Sequence, residues 1–186
     1  MTSVAPRLAT YADLLALPRN VVGELIGGEL HTQPRPGGPH AAVASLLGMV
    51  LGNPFHRGSG GPGGWIILDE PELHLGGDVL VPDLAGWRRA RMPEVPDTAA
   101  FELAPDWVAE VLSPSTAALD RVEKLPIYAR EGISHVWLID PRLQTLEAFA
   151  LAGDRYQLLG AWRGSESVRV APFEALELEL AALWAR

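Results

Sequence analysis

Cysteine is absent from the 186-residue chain. That excludes disulfides, thiolate zinc sites and cysteine nucleophiles together, and is compatible with a reducing compartment. Basic charge is scarce: 15 Lys and Arg stand against 23 Asp and Glu, for a formal net charge of −8. A sequence-independent nucleic-acid coat needs a basic surface, so that class is disfavoured. An enzyme that meets nucleic acid at one local patch is not excluded, and acidic clusters can hold divalent metals. No apolar run reaches the roughly 18 residues of a membrane span. The opening MTSVAPRLAT lacks the apolar centre of a signal peptide. A soluble, cytoplasmic protein is expected. No Gly-x-Ser-x-Gly elbow is present, which argues against a serine hydrolase. GSGGPGG lacks the Lys-Ser/Thr ending of a phosphate-binding loop. His31, His56, His74 and His135 show no metal-ligand spacing, so no zinc site is expected.

What the chain does have is apolar residues, at 48% enough for a sizeable core. The length suits one domain over residues 1–186. TYADLLALP reads as a short helix with Thr10 as N-cap and Pro18 as stop. GELIGGELHTQ alternates about Gly27-Gly28, a hairpin signal. HAAVASLLGMVLG reads as an apolar helix ended by Gly52 and Pro54. WIILDE, ELHL, VLVPDLAGW and DWVAEVL are strand-like, and STAALDRVEKLPIYAREG is helical in composition up to Gly132. HVWLID, TLEAFAL and YQLLGAW suggest a strand and a meander, while FEALELELAALW is ambiguous between strand and helix. Strands flanking a helical stretch imply an α/β fold with a central mixed β-sheet flanked by helices, an N-terminal hairpin and a C-terminal β-meander.

Two carboxylates interrupt apolar strands. Asp83 follows Pro82 in DVLVPDLAGW, and Glu110 stands inside PDWVAEVLSPS. An aspartate after proline is commonly a turn residue capping a backbone group. A glutamate among core residues is costly without a partner. Two such acids on neighbouring strands repel unless a proton or cation joins them. A hard cation such as Mg²⁺ takes oxygen ligands and commonly uses one or two carboxylates. The backbone carbonyl of Val111 offers a third oxygen. Lys124 lies in the next helical segment, where it either stabilises charge on a phosphate or simply pairs with Asp120 at i−4 on the surface.

The ordered set resembles the Uma family of putative restriction endonucleases, within the PD-(D/E)xK nuclease superfamily. The residues that carry the likeness are Pro82-Asp83, then Glu110-Val111-Leu112-Ser113-Pro114-Ser115, then Asp120, Lys124, Tyr128, Gly132, Trp137 and Asp140-Pro141. GELIGGELHTQPRPGGPHAAVASLL resembles the family's opening hairpin and first core helix. The likeness implies a restriction-endonuclease-like core and a metal-dependent endonuclease that hydrolyses DNA. It implies Asp83 and Glu110 as ligands of Mg²⁺ or Mn²⁺. Leu112 stands where the wider superfamily has its lysine, which points to Lys124 instead. Glu24 matches the acid of the N-terminal hairpin; it either completes the metal shell or faces solvent from its strand.

Lesser candidates have plainer readings. His40 matches a family histidine but suits helix-end packing. Arg88, Arg89 and Arg91 form the best local basic patch, equally a solvated loop. Ser113 and Ser115 look like caps, and Trp107, Tyr128 and Trp137 like core. Pro126 disturbs the helix that carries Lys124. A second reading keeps the nuclease fold without catalysis, as a binding or assembly module that is a homodimer through its apolar surface. A third, a β-rich ligand-binding domain, leaves the ordered carboxylates unexplained.

Overall fold

The computed structural model describes residues 7–18, 20–34 and 36–184. Helix α1 (Tyr11–Leu15) starts behind Thr10, whose backbone N–H donates to Asp13 at 2.8 Å. Strands β1 (Val21–Ile26) and β2 (Glu29–Pro34) pair antiparallel about Gly27 and Gly28, with φ of 59° and 80°. Two successive positive φ values are what a type I′ hairpin turn demands. Helix α2 (Gly38–Leu51) follows. Its expected stop is not one: the chain runs on through Gly52–His56 as a π-helical turn. The wider spacing takes in Pro54, which an α-helix interior would not tolerate.

Strands β3 (Trp65–Asp69), β4 (Glu72–Leu75), β5 (Asp78–Leu80), β6 (Leu84–Arg88), β7 (Ala100–Phe101) and β8 (Trp107–Val111) come next. The run VLVPDLAGW is therefore two strands, β5 and β6, in two different sheets. The chain changes sheet at residues 81–83, where Pro82 has no N–H to give to a ladder. After β8 the chain is helical through α3 (Ala117–Leu119), a π-helical turn (Asp120–Lys124) and α4 (Leu125–Arg130). Pro126 falls in the first turn of α4, where a missing N–H is tolerated. Gly132, at φ 73°, closes the segment. Strands β9 (His135–Asp140), β10 (Thr145–Ala152) and β11 (Arg155–Arg163) form the expected meander. The ambiguous C-terminal stretch becomes both a strand and a helix: β12 (Ser167–Val168) pairs with β13 (Leu178–Glu179), which runs into α5 (Leu180–Leu183).

The main sheet has six strands in the order β11-β10-β9-β8-β6-β3, with β8 and β9 parallel and the other pairs antiparallel. A second sheet, β2-β1-β5-β4-β7, contains the N-terminal hairpin. Side chains alternate across β8. Trp107, Ala109 and Val111 join Val43, Leu47 and Leu51 of α2 in one core. Val108 and Leu112 join Leu73 and Leu80 of the second sheet and Ile127 and Tyr128 of α4 in the other. Trp107 and Trp137 meet edge to face at 5.3 Å, with Phe173 packed on both. Such pairs add about 0.5–1.5 kcal/mol each beyond their buried area. The main sheet is thus covered on both faces, and its junction with the second sheet falls at Asp83.

Candidate active site

Asp83 sits just ahead of β6, and its two oxygens have different partners. Oδ2 accepts the backbone N–H of Val111 at 2.7 Å. Oδ1 lies 3.3 Å from Nε2 of His40, in the first turn of α2. The aspartate does cap a backbone group, but one on the neighbouring strand, and this ties the entrance of β6 to the exit of β8. Burial pushes the His40 pKa down, yet Asp83 and the Val111 carbonyl outweigh it and hold the imidazole above its usual value.

Glu110 shares its face of β8 with Val108 and Leu112. It is 3% exposed and surrounded by charge. Its Oε1 accepts from the Tyr128 hydroxyl and lies 3.3 Å from Nζ of Lys124. Burial pushes the Glu110 carboxyl well above its usual range; Lys124 opposes the rise, while Asp120, Asp83 and Glu24 add to it.

Lys124 is not a surface lysine. It is 1% exposed, and its ammonium meets Glu24 at 2.9 Å, Asp120 at 3.2 Å and Glu110 at 3.3 Å. The pairing with Asp120 at i−4 exists, but inside the protein, because the π turn carries both residues inward. Burial would lower the Lys124 pKa; the three carboxylates outweigh it and hold the ammonium well above the usual lysine value. Glu24 does not face solvent. It is 1% exposed, and its Oε1 also accepts the Val81 N–H at 2.8 Å, at the sheet crossover. Among the described residues its Oε2 has no partner. Burial raises the Asp120 pKa against the pull of Lys124. For Tyr128, burial and then the Glu110 charge push the phenol well up, so its hydroxyl stays a donor.

A cavity of about 120 Å³ is lined by Asp83, Glu110, Val111, Asp120, Lys124 and His40 among others, while Glu24 and Tyr128 lie behind this lining. Ser113 and Thr116 also reach it, and each takes the other's backbone N–H (3.2 Å both ways) to start the helical segment. Asp83, Glu110 and Lys124 come from three separated stretches of chain, brought together because β6 and β8 are neighbours and the segment after β8 folds back over them.

The donors suit a hard cation. Asp83, Glu110 and the Val111 carbonyl offer oxygen alone, and Oδ1 of Asp83 is not committed to a backbone group. Among the described residues no three His, Asp or Glu side chains gather into a metal cage. A cation here would rest on two carboxylates, one main-chain oxygen and water, which is how Mg²⁺ is commonly held. The donor chemistry of these residues fits such an ion.

The arginine patch lies at the far end of β6 from Asp83. Arg88 stacks over the Trp65 ring at 4.5 Å, Arg89 donates to the Pro93 carbonyl at 3.0 Å, and Arg91 pairs with Asp106 at 2.9 Å. These are structural roles, remote from the cavity lining. Trp107 and Trp137 are core, as their composition suggests. The residues undervalued from sequence are Asp120, Tyr128 and His40. Their signal was present in the ordered family pattern, but a tyrosine in a helical stretch reads equally well as packing.

Comparison with known proteins follows the same line. No curated protein matches the chain. Its fold is similar to that of the crystal structure of a putative nuclease belonging to DUF820 from Anabaena variabilis ATCC 29413. The TM-score is 0.72 at 24% identity, over 94% of this chain and 97% of that one. Residues 8–182 match the model of the Uma2 family, described as "Putative restriction endonuclease". With nearly its whole length matched, the chain belongs to the Uma2 family.

Proposed function

We propose that this protein is a metal-dependent endonuclease that hydrolyses phosphodiester bonds of DNA. One observation carries the reading: two carboxylates and a lysine, supplied by separate segments, border a single cavity at the junction of the two sheets. Asp83, Glu110 and the Val111 carbonyl would hold Mg²⁺ or Mn²⁺, which supplies Lewis-acid polarisation of the phosphate and activation of a water. Lys124 remains cationic, so it acts by electrostatics rather than as a base. Its ammonium offsets Glu24, Glu110 and Asp120 and keeps the acidic cluster from repelling the phosphate. His40 keeps Asp83 oriented from the α2 side and places an N–H donor at the cavity wall.

The test is nicking of supercoiled DNA with Mn²⁺ by wild type and Asp83→Asn. The amide can still accept the Val111 N–H, so folding is preserved while the anionic ligand is lost. A fall of about 100-fold or more is expected, since removing a key electrostatic group typically costs 10²–10³ in rate. Equal nicking by both proteins would assign the activity to a contaminant or another site.

A second reading is favoured by one feature. The Lys124 ammonium already offsets part of the acidic cluster, and the chain carries a net charge of −8. A nuclease fold retained as a binding or assembly module would look the same. Such a module binds no Mn²⁺ in the cavity, so calorimetric titration of wild type against Asp83→Asn separates the two.

A further inference from the structure

We propose that Tyr128 is a positioning residue that aims Glu110 at the cation; the inference rests on the metal-dependent reading above. Tyr128 is completely buried, with its ring among Val108, Leu112, Ile127 and Leu138. Within that otherwise apolar cluster the hydroxyl is directed at the buried Glu110 carboxylate. A phenylalanine would fill the core equally well. The hydroxyl's hydrogen-bond partner is Oε1 of Glu110.

That oxygen is also the one Lys124 approaches, at 3.3 Å. Two donors thus converge on one oxygen of the carboxylate. Among the described residues no donor engages Oε2, while the Glu110 side chain borders the cavity. Fixing one oxygen from the core side fixes the plane of the carboxylate and leaves the other to face the ion. Lys124 alone does this poorly, because its ammonium is shared with Glu24 and Asp120. The Tyr128 hydroxyl has no such competition, and its rigid ring gives it a single direction.

Tyr128→Phe removes that one oxygen and nothing of the packing. Groups that orient a metal-binding side chain typically contribute about 10- to 100-fold in metal affinity. The experiment is calorimetric Mn²⁺ titration of wild type, Tyr128→Phe and Asp83→Asn, each first checked for cooperative melting. The expected result is a Kd weaker by about 10-fold or more in Tyr128→Phe. The rate at saturating Mn²⁺ should be far less affected than the Mn²⁺ concentration needed. Wild-type Kd in a folded Tyr128→Phe protein would overturn the inference and leave the metal reading intact. No Mn²⁺ binding by wild type would overturn the metal reading itself. If Tyr128→Phe does not fold, the wild type still decides. The chain has three tyrosines, so the Tyr128 ring carbon bearing oxygen can be followed by ¹³C NMR during a Mg²⁺ titration. Its resonance should shift and saturate together with metal binding. A resonance that stays still while Mg²⁺ binds would refute the role.

Discussion

Replacing Lys124 by methionine tests the electrostatic account most severely. The side chain keeps its approximate volume, but the ammonium disappears from among Glu24, Asp120 and Glu110, which lie 2.9, 3.2 and 3.3 Å from it. All four residues are buried, so only water within the small cavity could take over part of the compensation. Removing one partner of a buried ion pair costs about 3–5 kcal/mol. For a chain of this length each kcal/mol shifts the melting temperature by roughly 2–4 °C, so a fall of about 6–20 °C is expected at pH 8. The pH dependence gives the sharper signature. Burial already makes Glu110 bind its proton more tightly in the folded protein than an ordinary glutamate does. Without Lys124 that tendency grows, and a carboxyl with a raised folded pKa favours folding as pH falls. The gap between variant and wild type should therefore narrow as pH is lowered from 8 towards about 5. The titration of Lys124 itself does not enter this window: its proton is lost only as pH rises above 10.5 through its raised folded value. Thermal melts at four pH values decide the matter. Equal melting temperatures at pH 8, or a gap that widens on acidification, would refute the charge balance described for this site.

Two further outcomes are expected. Burial holds the His135 pKa below the usual histidine value of 6.5, so its neutral form is favoured in the folded chain. Stability should fall as pH drops through about 6.5, and His135→Gln should flatten that slope in urea unfolding. Arg91→Ala should cost about 0.5–1 kcal/mol, as a half-exposed ion pair does, because Asp106 keeps its bond from the Arg88 N–H at 2.8 Å. The same variant should nick DNA within about twofold of wild type; a larger loss would place the arginine patch in substrate binding.

The strands were legible because their apolar runs are bounded by glycine and proline, and the hairpin because Gly27-Gly28 sits between alternating residues. The acids at 83 and 110 stood out for a physical reason, since each interrupts an apolar strand, whereas Glu24 was visible only through the family resemblance. Lys124 was traceable only through the ordered pattern, since a lysine after Asp120 at i−4 is ordinary on a helix surface. What turns it inward is the π turn, Asp120–Lys124. No local composition announces that turn, because it is fixed by what the segment packs against. For the same reason VLVPDLAGW read as a single strand. Its division between two sheets is a tertiary event, with Pro82 as the visible hint. Tyr128 was the hardest to value, because a residue that both fills a core and donates a bond leaves only the first role in a hydrophobicity pattern.

The charge balance within the cavity has a consequence for how the protein starts work. Many small metalloproteins are unfolded until their ion arrives, since only the ion can reconcile the acids around it. Here a lysine from the chain itself reconciles Glu24, Glu110 and Asp120, and a histidine attends to Asp83. The chain's own side chains thus supply compensation that such proteins take from an ion. On the metal-dependent reading proposed above, loading would be an exchange of partners among side chains the chain already compensates, and the bound ion would add its own binding free energy to the stability of the fold.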